Sequence, residues 1–130
     1  MCVMIHLSRQ RLSFLQVSYT SWYLDAFNYA IALKLDVINL SIGGIDHLDK
    51  PFVDKVNEVT ANGIILISAI GNDGPAYGTL NSPADLMDVI GVGGLDYNDN
   101  IATLSSRGMS TFELPLGADR SVAFMLNFSE

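Results

Sequence analysis

The sequence predicts an α/β fold, a parallel sheet with flanking helices. Three observations carry that prediction. Short apolar runs rich in β-branched residues recur at 36–41, 64–69 and 88–93. A segment of helical periodicity separates the first two, which makes a βαβ unit over 36–69. The middle run, Ile64-Ile65-Leu66-Ile67-Ser68-Ala69, is apolar on both faces. Such a run suits a strand in the middle of a parallel sheet covered by helices.

The elements follow in order. Residues 18–35 read as a first helix, with Thr20 or Ser21 as its cap and Leu24, Phe27, Ile31 and Leu35 on one face. Residues 36–41 read as a buried strand, ended by Gly43-Gly44. Residues 49–62 read as a second helix. Asp49 caps it, Pro51 sits in its first turn, and Phe52, Val53, Val56 and Val59 form the apolar stripe. Asn62-Gly63 closes it, and the second strand begins at Ile64. A polar loop rich in Gly and Pro spans 71–85, and the third strand follows at 88–93.

Composition narrows the function. The 130 residues are 49% hydrophobic and 16% charged, which supports a core and argues against disorder. Seven Lys and Arg against 14 Asp and Glu give a net charge of −7. An acidic chain without a basic cluster is a poor binder of nucleic acid. The one cysteine, Cys2, excludes an internal disulfide and a Cys-rich zinc site. No 18-residue apolar run reads as a transmembrane helix. Arg9 and Arg11 interrupt what would be the apolar centre of a signal peptide, so none is expected.

Several motifs read as ordinary structure. Gly91-Val92-Gly93-Gly94 lacks the third glycine of a dinucleotide loop, because Asp96 stands there, and no Gly-Lys-Ser/Thr exists. His6 and His47 have no second His or Cys at metal-ligand spacing. Asp46, Asp49 and Asp54 read as a solvated helix start, and no metal site is expected. The sequon Asn39-Leu40-Ser41 lies in a strand read as buried; Asn127-Phe128-Ser129 lies near the end.

In an open parallel sheet, sites form beyond the carboxyl ends of the strands. Two Gly-rich stretches follow strands here: Ser41-Ile42-Gly43-Gly44 and Ala69-Ile70-Gly71-Asn72-Asp73-Gly74. Asn72 stands out. An Asn flanked by glycine just past a buried strand can aim its amide into a cleft, or it can simply serve a turn.

Five segments taken together decide for the cleft. Val37-Ile38-Asn39-Leu40-Ser41-Ile42-Gly43-Gly44 and Ser68-Ala69-Ile70-Gly71-Asn72-Asp73-Gly74-Pro75 resemble two signature stretches of the subtilisin-like serine proteases. Ser82-Pro83-Ala84, Val89-Ile90-Gly91-Val92-Gly93-Gly94 and Ser105-Ser106-Arg107-Gly108 match in the same order. Within that family, Val17-Ser18-Tyr19-Thr20-Ser21-Trp22 and Ile70-Gly71-Asn72-Asp73-Gly74-Pro75 look most like the site-1 protease branch, endoproteases of the Golgi and endoplasmic reticulum. The resemblance implies part of a three-layer subtilisin-like fold and a peptide or protein substrate. It implies that Asn72 is the oxyanion-hole residue. It implies that Ser41, Ile42 and Gly43 hold the substrate strand. Ser68, Ala69, Ile70 and Gly71 would form one wall of the pocket for the residue preceding the cut. It implies calcium in the complete family domain, without placing a site here.

The family's Asp–His–Ser triad has no match. No Asp-Ser/Thr-Gly, no His-Gly-Thr-His and no Gly-Thr-Ser-Met-Ala occurs, and Gly108-Met109-Ser110-Thr111 matches the stretch after Ser-Ser-Arg-Gly instead. The expected organisation is a divergent segment over 1–15, a partial subtilisin-like peptidase domain over 16–115 and a divergent tail over 116–130. The chain thus reads as the central slice of such a protease. A truncated form that binds peptides without cutting them is the alternative. A sheet cut from a larger one is also expected to leave an apolar face uncovered.

Overall fold

A computed structural model describes residues 2–4, 19–44, 49–108 and 123–127. The expected helix start at Ser18, the residues Val17, His6, His47 and Asp46, and the stretch Met109-Ser110-Thr111 lie outside the described residues. Seven elements are seen: β1 (Cys2–Met4), α1 (Thr20–Ala32), β2 (Val37–Leu40), α2 (Lys50–Ala61), β3 (Ile65–Ala69), β4 (Val89–Leu95) and β5 (Ala123–Asn127). The strands form one sheet in the order β1-β2-β3-β4-β5, and every pairing is parallel. The three expected strands are its centre. In register, Leu40 lies opposite Ser68, and Ser68 opposite Gly91. β1 and β5 fall in segments for which the sequence predicted no strand.

Both helices stand on one face of the sheet. Phe27 and Ala30 of α1 and Val56 and Val59 of α2 join Ile38, Leu40, Leu66 and Val89 in a single buried core. Phe52 ties the helices together, with ring centroids 5.9 Å from Phe27 and 6.1 Å from Tyr23. This corrects the expectation that β3 is covered on both faces. Leu66 and Ser68 are fully buried, but Ile65 is 50% exposed and Ala69 is exposed. The physical reason is that α1 and α2 serve the same core. On the other face Ile65 and Ala69 are exposed and Ile67 is half-buried.

The helix ends show a second correction. Tyr19, in extended conformation, is the N-cap of α1, and no side chain caps it. Thr20 lies already inside the helix, and its hydroxyl donates instead to the Asp49 carboxylate. Asp49 also accepts from the Phe52 N–H at 3.3 Å, so it caps α2 as its sequence position demands. Asn62 is the C-cap, and Gly63 follows at φ +79°, where a side chain would be strained.

Candidate active site

The carboxyl ends of β2 and β3 open side by side, and the loop after β3 returns between them. The backbone builds this arrangement first. Gly44 and Ser82 exchange two backbone hydrogen bonds, at 3.3 and 2.9 Å. One residue earlier, the Asn81 N–H donates to the Ile70 carbonyl at 2.9 Å. The dipeptide Asn81-Ser82 therefore bridges the extension of β2 and the extension of β3. Close packing follows. A Cβ added at Gly43 would lie 2.9 Å from the Ser82 carbonyl oxygen and 3.0 Å from Asn81 Cβ. A Cβ added at Gly71 would lie 2.6 Å from Asn81 Nδ2 and 2.7 Å from Ser106 Oγ. Only glycine fits at either place, and Gly71 also sits at φ +111°.

A second return of the chain pins the Asn72 turn. Beyond β4, Asp96 accepts backbone hydrogen bonds from Asn98 at 2.8 Å and Asn100 at 2.9 Å. Those bonds, that from Asn100 foremost, hold its carboxyl below the usual carboxylate value. This turn brings Ser105 and Ser106 back over the sheet end. Ser105 Oγ accepts from the Gly94 N–H at 3.1 Å. The Ser106 N–H donates to the Gly71 carbonyl at 3.1 Å, and Ser106 Oγ accepts from the Asp73 N–H at 3.2 Å. The residues on both sides of Asn72 are thus tied to one buried serine. Asn72 itself is exposed, and no described residue engages its side-chain amide.

The predicted site residues separate into two groups. Ser41 and Gly43 are exposed, Ile42 is half-buried, and Ala69 and Asn72 are exposed around them. Gly43 and Gly71 are both within reach of one side chain, that of Asn81. Ser68 and Ile70 are buried instead. Ser68 shares the buried face of β3 with Leu66. Ile70 is 4% exposed and packs over the glycines of β4, where added Cβ atoms at Gly91 and Gly93 would lie 3.0 and 2.7 Å from it. Asn81 and Ser106 were missed by sequence reasoning. Ser82-Pro83 and Ser105-Ser106 stood out as motifs, but their contacts are long-range. Among the described residues no three His, Cys, Asp or Glu side chains converge.

The sequence model described as the Subtilase family matches residues 13–119. The chain belongs to the subtilase family. It is 73% identical over 105 residues to the membrane-bound transcription factor site-1 protease of Homo sapiens, covering 81% of this chain and 10% of that protein. It is 72% identical over 105 residues to subtilisin-like protease SBT6.1 of Arabidopsis thaliana, with the same coverage. The chain therefore spans a tenth of the length of these relatives. Among solved structures, it superposes on the prenylagaramide maturation protease PagA with a TM-score of 0.61 and 27% identity, over 72% of this chain and 34% of that one. Sphericase gives 0.58 and 27%, over 68% and 30%. No helix among the described residues is long and apolar enough to cross a membrane.

Proposed function

We propose that this chain carries the substrate-strand and oxyanion half of a subtilisin-like serine endopeptidase. In the complete protein the reaction is peptide hydrolysis through an acyl-enzyme. A serine attacks the scissile carbonyl, a histidine takes its proton, and an aspartate orients the histidine. Asn72 would donate its side-chain amide to the oxyanion that develops at that carbonyl. In subtilisin itself the loss of one such donor lowers turnover roughly 10²–10³-fold, a value taken over from that relative. The exposed segment Ser41-Ile42-Gly43 would pair with an extended peptide as an added strand.

One observation carries the reading. Gly71 and Asp73 are both bonded to Ser106, while the Asn72 amide between them is exposed and bonded to no described residue. A turn Asn with only a local role would be expected to bond its own loop.

The 130-residue sequence contains no motif for nucleophile, base or orienting carboxylate. We therefore expect this chain to bind extended peptides and to leave them intact. The test is incubation of the purified chain with labelled peptides ending in Arg-x-x-Leu. Binding is read by fluorescence anisotropy and cleavage by mass spectrometry. Turnover in a preparation free of host proteases would overturn the expected inactivity. Absence of binding would overturn the groove.

A further inference from the structure

We infer that Asn62 is a site of spontaneous deamidation and that the last turn of α2 sets its rate. Asn62-Gly63 is the one Asn-Gly pair in the chain. The reaction needs the nitrogen of the following residue to reach the Asn side chain, and glycine, having no side chain, obstructs that approach least. The Gly63 nitrogen, its proton taken by a solvent base, attacks Asn62 Cγ. The bond from that nitrogen to Cγ forms, the bond from Cγ to Nδ2 breaks, and ammonia leaves. Water then opens the cyclic imide at either carbonyl, which leaves an aspartyl or an isoaspartyl residue at position 62.

The structure places the reaction here and also restrains it. Asn62, the C-cap of α2, and Gly63 after it are both exposed. Nothing lies within 4 Å of the point where a Cβ on Gly63 would stand, so the backbone has room to turn. Two hydrogen bonds hold the reacting atoms in place. The Gly63 N–H donates to the Thr60 carbonyl at 2.9 Å, and Asn62 Nδ2 donates to the Glu58 carbonyl at 2.8 Å. Both must open before the ring can close. Ala61 is exposed as well, so opening uncovers little apolar surface, while Val59 and Ile64 on either side stay buried. The opening is therefore local, of the kind that helix ends undergo without global unfolding. Other exposed asparagines are less favoured. Asp73 follows Asn72, carries a side chain and gives its N–H to Ser106 Oγ, and Asp99 follows Asn98 and gives its N–H to the Asp96 carbonyl.

The product acts back on the helix. The donor to the Glu58 carbonyl is lost, and a carboxylate stands at the negative end of α2, four residues from Glu58. An isoaspartyl link also adds a backbone carbon between Val59 and Ile64, which are both fixed in the core. The modification thus loosens the turn that restrained it.

The test incubates the full chain in mildly alkaline buffer, folded and in urea, and follows each asparagine by peptide mapping and mass spectrometry. Asn62 is expected to convert first in both states, and more slowly in the folded chain by about tenfold or more, the protection its hydrogen bonds give. Urea below the unfolding transition should barely change the folded rate, since a local opening exposes little surface. Gly63→Ala should suppress the conversion in urea, where its effect on folding does not matter. Asn62→Asp copies the aspartyl product and should lower the urea midpoint. Another asparagine converting first, equal rates in the two states, or a folded rate that climbs with urea as steeply as global unfolding would overturn the inference. An unchanged midpoint for Asn62→Asp would overturn the action of the product on the helix.

Discussion

Replacing Gly71 with alanine is expected to destabilise the sheet end, and the structure separates its cost into two parts. The first is conformational. Gly71 sits at φ +111°, a backbone state that costs a residue with a side chain about 1–3 kcal/mol. The second is crowding. The new methyl would lie 2.6 Å from Asn81 Nδ2, 2.9 Å from Asn81 Cγ and 2.7 Å from Ser106 Oγ. Ser106 Oγ is held by the Asp73 N–H, and the Asn81 amide would have to turn aside. Overpacking of this kind costs about 1–3 kcal/mol. The sum is about 2–6 kcal/mol, set against a total stability of about 5–15 kcal/mol for an ordinary domain.

Two internal controls isolate the crowding part. Gly63 at φ +79° and Gly78 at φ +75° are also left-handed, yet an added Cβ meets nothing within 4 Å at either. Gly63→Ala and Gly78→Ala should show the conformational cost alone. Urea denaturation of the three variants is the assay, and the midpoints give the order. Gly71→Ala should exceed both controls by about 1–3 kcal/mol, with m unchanged. Equal losses in all three would refute the reasoning, because the contacts with Asn81 and Ser106 would then carry no energy.

Other residues give narrower expectations. Asp49→Ala removes the α2 cap and the acceptor for Thr20, and should lower stability by about 0.5–2 kcal/mol in the same denaturation assay. Ser106→Ala leaves the Asp73 N–H without its acceptor. Amide exchange at Asp73 should quicken about tenfold or more, while Gly74, bonded to the Leu104 carbonyl, should keep its protection. Acid should loosen the turn after β4. The Asp96 carboxyl is held below its ordinary value, so its contribution is full above about pH 4 and is lost as pH falls through the lowered folded value. The amide shifts of Asn98 and Asn100 should report that loss, and an Asp96→Asn chain should not show it.

The parts that could be read from sequence are those whose signal is periodic and local. Phe27, Val56 and Val59 recur at helical spacing, and all three are buried against the sheet. The strands at 37–40 and 65–69 announce themselves by apolar runs between turn residues. The misses follow from signals that are short or distant. β1 has three residues and β5 five, in segments without turn punctuation. Thr20 looked like a cap because its residue type favours caps, yet its hydroxyl reaches Asp49, 29 residues away. Asn72 could be singled out only when several stretches were taken together, since Gly-Asn-Asp-Gly alone reads as a turn. Asn81 gave no signal, and Ser106 stood out only as part of a motif, with no role attached. Their roles arise from contacts with Gly71 and Asp73 that only the folded loops create, and Ser106 lies 33 residues from Asp73.

The two faces of the sheet contribute differently to its carboxyl end. The core beneath α1 and α2 fixes the strand ends, because Ile38, Leu40 and Leu66 anchor β2 and β3 from that side. The loops at those ends are then tied together through Asn81, Ser82 and Ser106, all of which come from the loops on either side of β4. None of these contacts involves the open face, where Ile65 is half exposed. Whatever covers Ile65 in a longer subtilase would add stability by burying apolar area, on the scale of about 25 cal/mol per Å². It would leave the bonds on either side of Asn72 unchanged, because Gly71 and Asp73 are held by Ser106 and the strand ends by the core beneath α1 and α2, none of which depends on that face.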